Sequence, residues 1–116
     1  MTLHTLSSGS QGNCLLLSDG GTHILVDAGI STRRIKAGLA RLGLSMDDLD
    51  GILITHEHTD HISGLATLIK HHTVPLYASP GTARQLAYRL AGVEPLLRPR
   101  DPGTEFCIGS CRVTAF

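Results

Sequence analysis

The sequence predicts an α/β fold in which a β-sheet is layered against helices. Short apolar runs alternate with stretches of helical periodicity along the chain, the pattern of layered α/β architecture. The runs "CLLLS" and "HILVDAG" are apolar almost throughout, which predicts strands buried on both faces. With 41% hydrophobic and 17% charged residues, the 116-residue chain has the composition of one soluble globular domain with a modest core.

Each element has a local reason. Leu3 to Leu6 forms a short first strand, followed by the loop "SSGSQGN" over 7–13. The next two strands are joined at Asp19-Gly20-Gly21, a hairpin signal. Ser31 is an N-cap for a helix over 32–42, where Ile35, Leu39 and Leu42 share one face and Gly43 follows as a C-terminal glycine. Ser45 and Asp48 resemble a capping box on one short turn. A strand over 51–55 precedes a helix over 62–70. "VPLYAS" is a further strand, and Ser79-Pro80 opens a helix that runs to about Leu90 and stops at Gly92. Residues 93–104 read as loop, and "EFCIG" and "CRVTAF" as a hairpin across Gly109-Ser110.

Composition excludes several classes. Ten basic and ten acidic residues cancel, so no global field draws the chain to nucleic acid or an acidic membrane surface. The start "MTLHTLSSGS" has neither a basic nor an apolar signal region, and no apolar run reaches the roughly 20 residues of a membrane span. Cys14, Cys107 and Cys111 form no C-x-x-C pair and are expected as buried thiols. The cytoplasm is the expected compartment.

The chemistry concentrates in "GILITHEHTDHISG", residues 51–64. An apolar run stops at Thr55, and His56, Glu57, His58, Asp60 and His61 follow within six positions. In an extended segment His56 and His58 point to one face, while Asp60 and His61 sit where the chain turns into a helix. Imidazoles and a carboxylate together suit zinc, manganese or iron. The protease motif H-E-x-x-H is absent, because Asp60 occupies the place of its second histidine. The pattern H-x-H-x-D-H instead provides two pairs of ligands, as a two-metal hydrolase needs.

"THEHTDH" after an apolar strand resembles the signature of the metallo-β-lactamase fold, and "ILVDAG" over 24–29 resembles its second hallmark. The opening "SSGSQGNCLLL" and its spacing to "DAGIS" resemble the YycJ-type subgroup, described as DNA exonuclease-like hydrolases. The resemblance implies that His56 and His58 bind a first metal, and Asp60 and His61 a second. It implies that Asp60 also orients the attacking water, and that Asp27 supports the site from behind. It implies two divalent ions, zinc foremost with manganese or iron as alternatives, and a nucleic-acid substrate. The family's remaining ligands come later than Phe116. The expectation is therefore a partial domain over 1–116, the N-terminal half of an αββα sandwich with a mixed sheet and flanking helices. Alone, such a half is expected to be inactive or to associate with itself.

Other groups carry weaker signals. The 7–13 loop has no Gly-Lys-Ser/Thr and is no Walker A loop, but Ser8, Ser10 and Asn13 are candidate phosphate contacts. Arg33, Arg34 and Lys36 read as a solvated helix face with phosphate contact as the alternative, and His71 and His72 as structural or exposed. His4 and His23 have no evident partner, and Glu57 is expected beside the site or in solvent. Three functions compete: a DNA phosphodiesterase; a hydrolase of thioesters, lactones or β-lactams; and a truncated, non-catalytic metal-binding fragment.

Overall fold

A computed structural model describes residues 1–9, 12–56 and 59–115, the side chains of Thr59 and Asp60 excepted. The candidate residues Ser10 and His58, the side chain of Asp60, and Glu57 and Phe116 lie outside that description.

The first sheet has six strands in sequence order: β1 (Thr2–Ser7), β2 (Cys14–Asp19), β3 (Thr22–Val26), β4 (Gly51–Leu53), β5 (Leu76–Ala78) and β6 (Leu97–Pro99). β1, β2 and β3 pair antiparallel, whereas β3 to β6 run parallel, so the sheet is mixed. The β2–β3 turn uses Gly20 and Gly21, both at positive φ (56° and 85°), as a two-residue hairpin with two left-handed centres requires. The helices are α1 (Thr32–Arg41), α2 (Thr59–Ile62), α3 (Leu65–His71) and α4 (Pro80–Arg89). Ser31 and Ser79 cap α1 and α4 by accepting the N–H of Arg34 and of Thr82, each at 3.2 Å. Such a cap is worth about 1 kcal/mol.

Period-two alternation divides the side chains between two cores. On one face Leu16, Leu25, Ile52 and Leu76 are fully buried, as are Ile35, Leu39, Leu65, Leu68 and Leu86 from the helices. On the other face Ile24 packs against a second, two-stranded sheet, β7 (Glu105–Ile108) and β8 (Cys111–Thr114), through Ile108 and Cys111. The β7–β8 turn is tied to the β2–β3 turn, where Ser110 N–H donates to Thr22 Oγ1 at 2.8 Å.

Five expectations change. The strand over 51–55 ends at Leu53, because Thr55 N–H is diverted to the Asp27 side chain. The helix over 62–70 starts earlier and breaks in two at Ser63-Gly64. The 93–104 loop contains β6, an edge strand where Pro99 needs no ladder donor. The second sheet covers only part of the outer face, so Leu15 and Leu17 are half-buried rather than buried. Of the cysteines, Cys14 and Cys111 are buried, but Cys107 points outward from β7 and is exposed.

Candidate metal centre

The parallel strands bring their carboxyl ends to one edge, where open α/β sheets place ligands. Val26 pairs with Leu53, so Asp27 leaves β3 beside the point where Ile54 and Thr55 leave β4. Ser79 leaves β5 on the same edge.

Asp27 is the only non-glycine at positive φ among the described residues, at 64°. Aspartate tolerates this left-handed conformation better than most side chains. The turn sends its N–H to the Leu53 carbonyl at 2.7 Å and its carboxylate back toward Thr55. At 4% exposure that carboxylate needs partners. Oδ1 accepts Thr55 N–H at 2.8 Å, and Oδ2 accepts the Thr55 hydroxyl at 2.7 Å and His61 Nδ1 at 2.8 Å. The same charge reaches Cys14. Burial first, and Asp27 second, push that thiol up to about 12, so it stays protonated and is no nucleophile.

His61 owes its position to α2, which is laced to the segment after β3. Ala28 N–H donates to the His61 carbonyl at 2.7 Å, and Gly64 N–H to the Ala28 carbonyl at 2.8 Å. The Ser63 hydroxyl donates to the Gly29 carbonyl, and the Thr32 hydroxyl to the Gly64 carbonyl at 3.2 Å. A Cβ at Gly64 would collide with the Ile30 carbonyl oxygen. This lacing explains the break between α2 and α3, since continuing the helix would pull Gly64 from its partners.

His56 lies beside His61, with ring centroids 4.9 Å apart and planes tilted by 49°. Its Nδ1 is 3.0 Å from Thr55 Oγ1. The structure therefore brings Asp27, Thr55, His56 and His61 together. Among the described residues, no group of three or more His, Cys, Asp or Glu could by itself hold a metal ion. The donor chemistry of the described pair nevertheless suits a divalent cation: two adjacent imidazoles, one of them held by a buried carboxylate through Nδ1, the arrangement that orients metal-binding histidines.

Ser8 is exposed. Asn13 folds onto its own loop, where its Oδ1 accepts Gly9 N–H at 3.3 Å and its carbonyl accepts Gly29 N–H at 2.9 Å. Gly12 and Asn13 thus lie against the segment that follows Asp27. A Cβ at Gly12 would collide with the Gly29 carbonyl, so glycine is required there for the approach. A cavity of about 490 Å³ opens beside Thr55 and His56, lined also by Tyr77, Ser79, Phe106 and Val113. Arg100 lies over both rings, 5.4 Å from Tyr77 and 5.2 Å from Phe106. Arg33, Arg34 and Lys36 are exposed on α1. His23, which the sequence left without a partner, lies 2.7 Å from Ser18 Oγ.

Sequence reasoning overlooked Thr55, Ser63 and Gly64. The available signal was a small hydroxyl residue between the apolar run and the first histidine, and a Ser-Gly pair inside a helical pattern.

A match to the metallo-beta-lactamase superfamily runs over residues 8–113. The chain belongs to that superfamily. Among its relatives is the exodeoxyribonuclease YycJ of Bacillus anthracis, 35% identical over 114 residues, which cover 97% of this chain and 41% of that protein. The exodeoxyribonuclease WalJ of Streptococcus pneumoniae is 46% identical over 77 residues, covering 66% of this chain and 29% of that one. Among solved structures, Rm3 metallo-beta-lactamase matches with a TM-score of 0.76 and 28% identity, over 97% of this chain and 47% of that one. The chain spans less than half the length of each of these proteins. The mixed sheet with flanking helices is the fold this chain shares with Rm3, as the sequence led one to expect.

Proposed function

We propose that this region carries half of the catalytic centre of a metal-dependent phosphodiesterase, an exonuclease acting on DNA. The observation that supports it most is the inward hold on the two imidazoles at the carboxyl ends of β3 and β4. The YycJ and WalJ relatives favour DNA as the substrate. In this reading His56, His58, Asp60 and His61 are protein ligands of two divalent ions, zinc foremost, with manganese or iron as alternatives. When bound, such ions supply Lewis acidity and lower the pKa of water toward about 7. The chain's own residues do the rest. Asp27 and Thr55 fix the rings, Asp60 orients the attacking water and takes its proton, and Ser8, Ser10 and Asn13 sit on a loop suited to a phosphate. The cytoplasm, which keeps thiols such as the exposed Cys107 reduced, is the compartment we assign.

The test uses a protein that carries this region at its relatives' full length. Metal-dependent release of nucleotides from labelled duplex DNA is expected, and loss of turnover by at least about 100-fold in His58→Ala. Faster turnover of a thioester or a chromogenic lactam would transfer the assignment to the second reading, which the likeness to Rm3 favours. Near-normal activity of His58→Ala removes both.

We also propose that the isolated chain associates with itself. Met1 and Leu3 are 85% and 61% exposed, and Leu17, Leu53, Phe106 and Val113 are only partly covered on the outer face. Size-exclusion chromatography with light scattering is expected to give a mass above that of the monomer. A compact monomer sinks the idea.

A further inference from the structure

We propose that Thr55 is a positioning residue whose hydroxyl, relaying Asp27, sets the tautomer of His56 so that Nε2 is the nitrogen offered to a cation. The use of that nitrogen rests on the metal-centre reading above. The relay itself rests only on hydrogen-bond geometry.

A threonine hydroxyl has one proton and two lone pairs, whereas a carboxylate only accepts. Thr55 Oγ1 lies 2.7 Å from Asp27 Oδ2, the ordinary length of a well-formed O–H···O bond. The hydroxyl proton is therefore committed to Asp27. His56 Nδ1, 3.0 Å from the same Oγ1, meets a lone pair and must be the donor. A neutral imidazole carries one proton, so a proton on Nδ1 leaves the lone pair on Nε2. The chain of donation runs from His56 Nδ1–H to Thr55 Oγ1–H to Asp27.

Reversing the chain requires a proton on Asp27 Oδ2. That oxygen also receives His61 Nδ1 at 2.8 Å, while Oδ1 receives Thr55 N–H at 2.8 Å. Three donors converge on one buried carboxylate, which fits an anion. The backbone bond matters as well. With Thr55 N–H and Oγ1–H both directed at Asp27, the threonine is gripped at two points and its hydroxyl cannot rotate away. One carboxylate thus orders two imidazoles whose centroids are 4.9 Å apart, His61 by direct contact and His56 through a hydroxyl. A residue that merely closed the β4 turn would need the backbone bond alone.

The test is nitrogen-15 NMR on the metal-free full chain labelled at histidine, at a pH above the ordinary imidazole range, with His56→Gln used for assignment. His56 is expected as the Nδ1–H tautomer in the unmodified chain and in Thr55→Ser, which keeps the hydroxyl. Thr55→Val is expected to move much of the population to Nε2–H. Zinc affinity, measured by calorimetry, is expected to fall about 10- to 100-fold in Thr55→Val and to stay within about threefold in Thr55→Ser. A proton on Nε2 in the unmodified chain overturns the relay, and so does an unchanged tautomer in Thr55→Val. If Thr55→Val does not fold, the unmodified chain and Thr55→Ser decide by the same signal. A Nδ1–H tautomer in a chain that binds no zinc upholds the relay and removes only the offer of Nε2 to a cation by this half of the centre.

Discussion

Asp27 is a buried charge with three donors and a left-handed backbone, and it orders the chemistry around it. Its effect extends to Cys14, whose thiol burial and the Asp27 charge push from 9.0 up to about 12. The sign of the pH linkage follows. A thiol held protonated in the folded state and released on unfolding stabilises fully below its unfolded pKa, and that contribution drains away as pH rises toward the folded value. Between about pH 9 and 12 the unfolding free energy should fall by up to about 1.4 kcal/mol per pH unit on account of this group. Urea denaturation across that window should show a shallower decline in Cys14→Ala than in the unmodified chain; parallel slopes would contradict the assignment. Cys107, exposed on β7, should meanwhile react with alkylating reagents in the folded chain.

At the scale of elements, the site depends on the lacing of the α2–α3 junction to the segment after β3. The four-residue α2 is not stable by itself, since a helix of one turn does not repay its nucleation. Ala28, Gly29, Thr32 and Gly64 supply the missing bonds. Gly64→Ala should therefore cost more than the roughly 1 kcal/mol gained or lost on propensity grounds. A loss of about 2–4 kcal/mol is expected in urea denaturation, together with displacement of His61 from Asp27. Chemical shifts of the His61 ring report the second effect, and an unperturbed His61 in a stable Gly64→Ala chain would refute the lacing argument.

For the molecule as a whole, a ligand that binds only the folded state raises stability by mass action. Zinc at about tenfold its dissociation constant should add about 1.4 kcal/mol, visible as a raised thermal midpoint that a chelator reverses. His56→Ala and His61→Ala should each abolish most of that rise while leaving the metal-free midpoint less affected than Gly64→Ala does. A midpoint indifferent to zinc, manganese and iron alike would argue that the described half of the centre holds none of them.

Much of the fold was legible before any coordinates. The strand runs, the Gly20-Gly21 turn, the caps at Ser31 and Ser79 and the apolar face of α1 are local signals, and each rests on contacts within a few residues. That His56 and His61 lie side by side was legible for a related reason, their close spacing on one short segment. β6 was not, because a three-residue edge strand containing Pro99 exists only by pairing with β5. The break at Ser63-Gly64 was not, because Gly64 N–H is held by the Ala28 carbonyl more than thirty residues away. The role of Thr55 falls in the same class, as do the particular partners of Asp27, whose support of the site the resemblance had implied. The sequence by itself determined which groups are present, their order along the chain and the local turns between them. Only the tertiary structure decided which groups share a proton, because hydrogen bonds form between neighbours in space, and β3 and β4 become neighbours only when the sheet assembles.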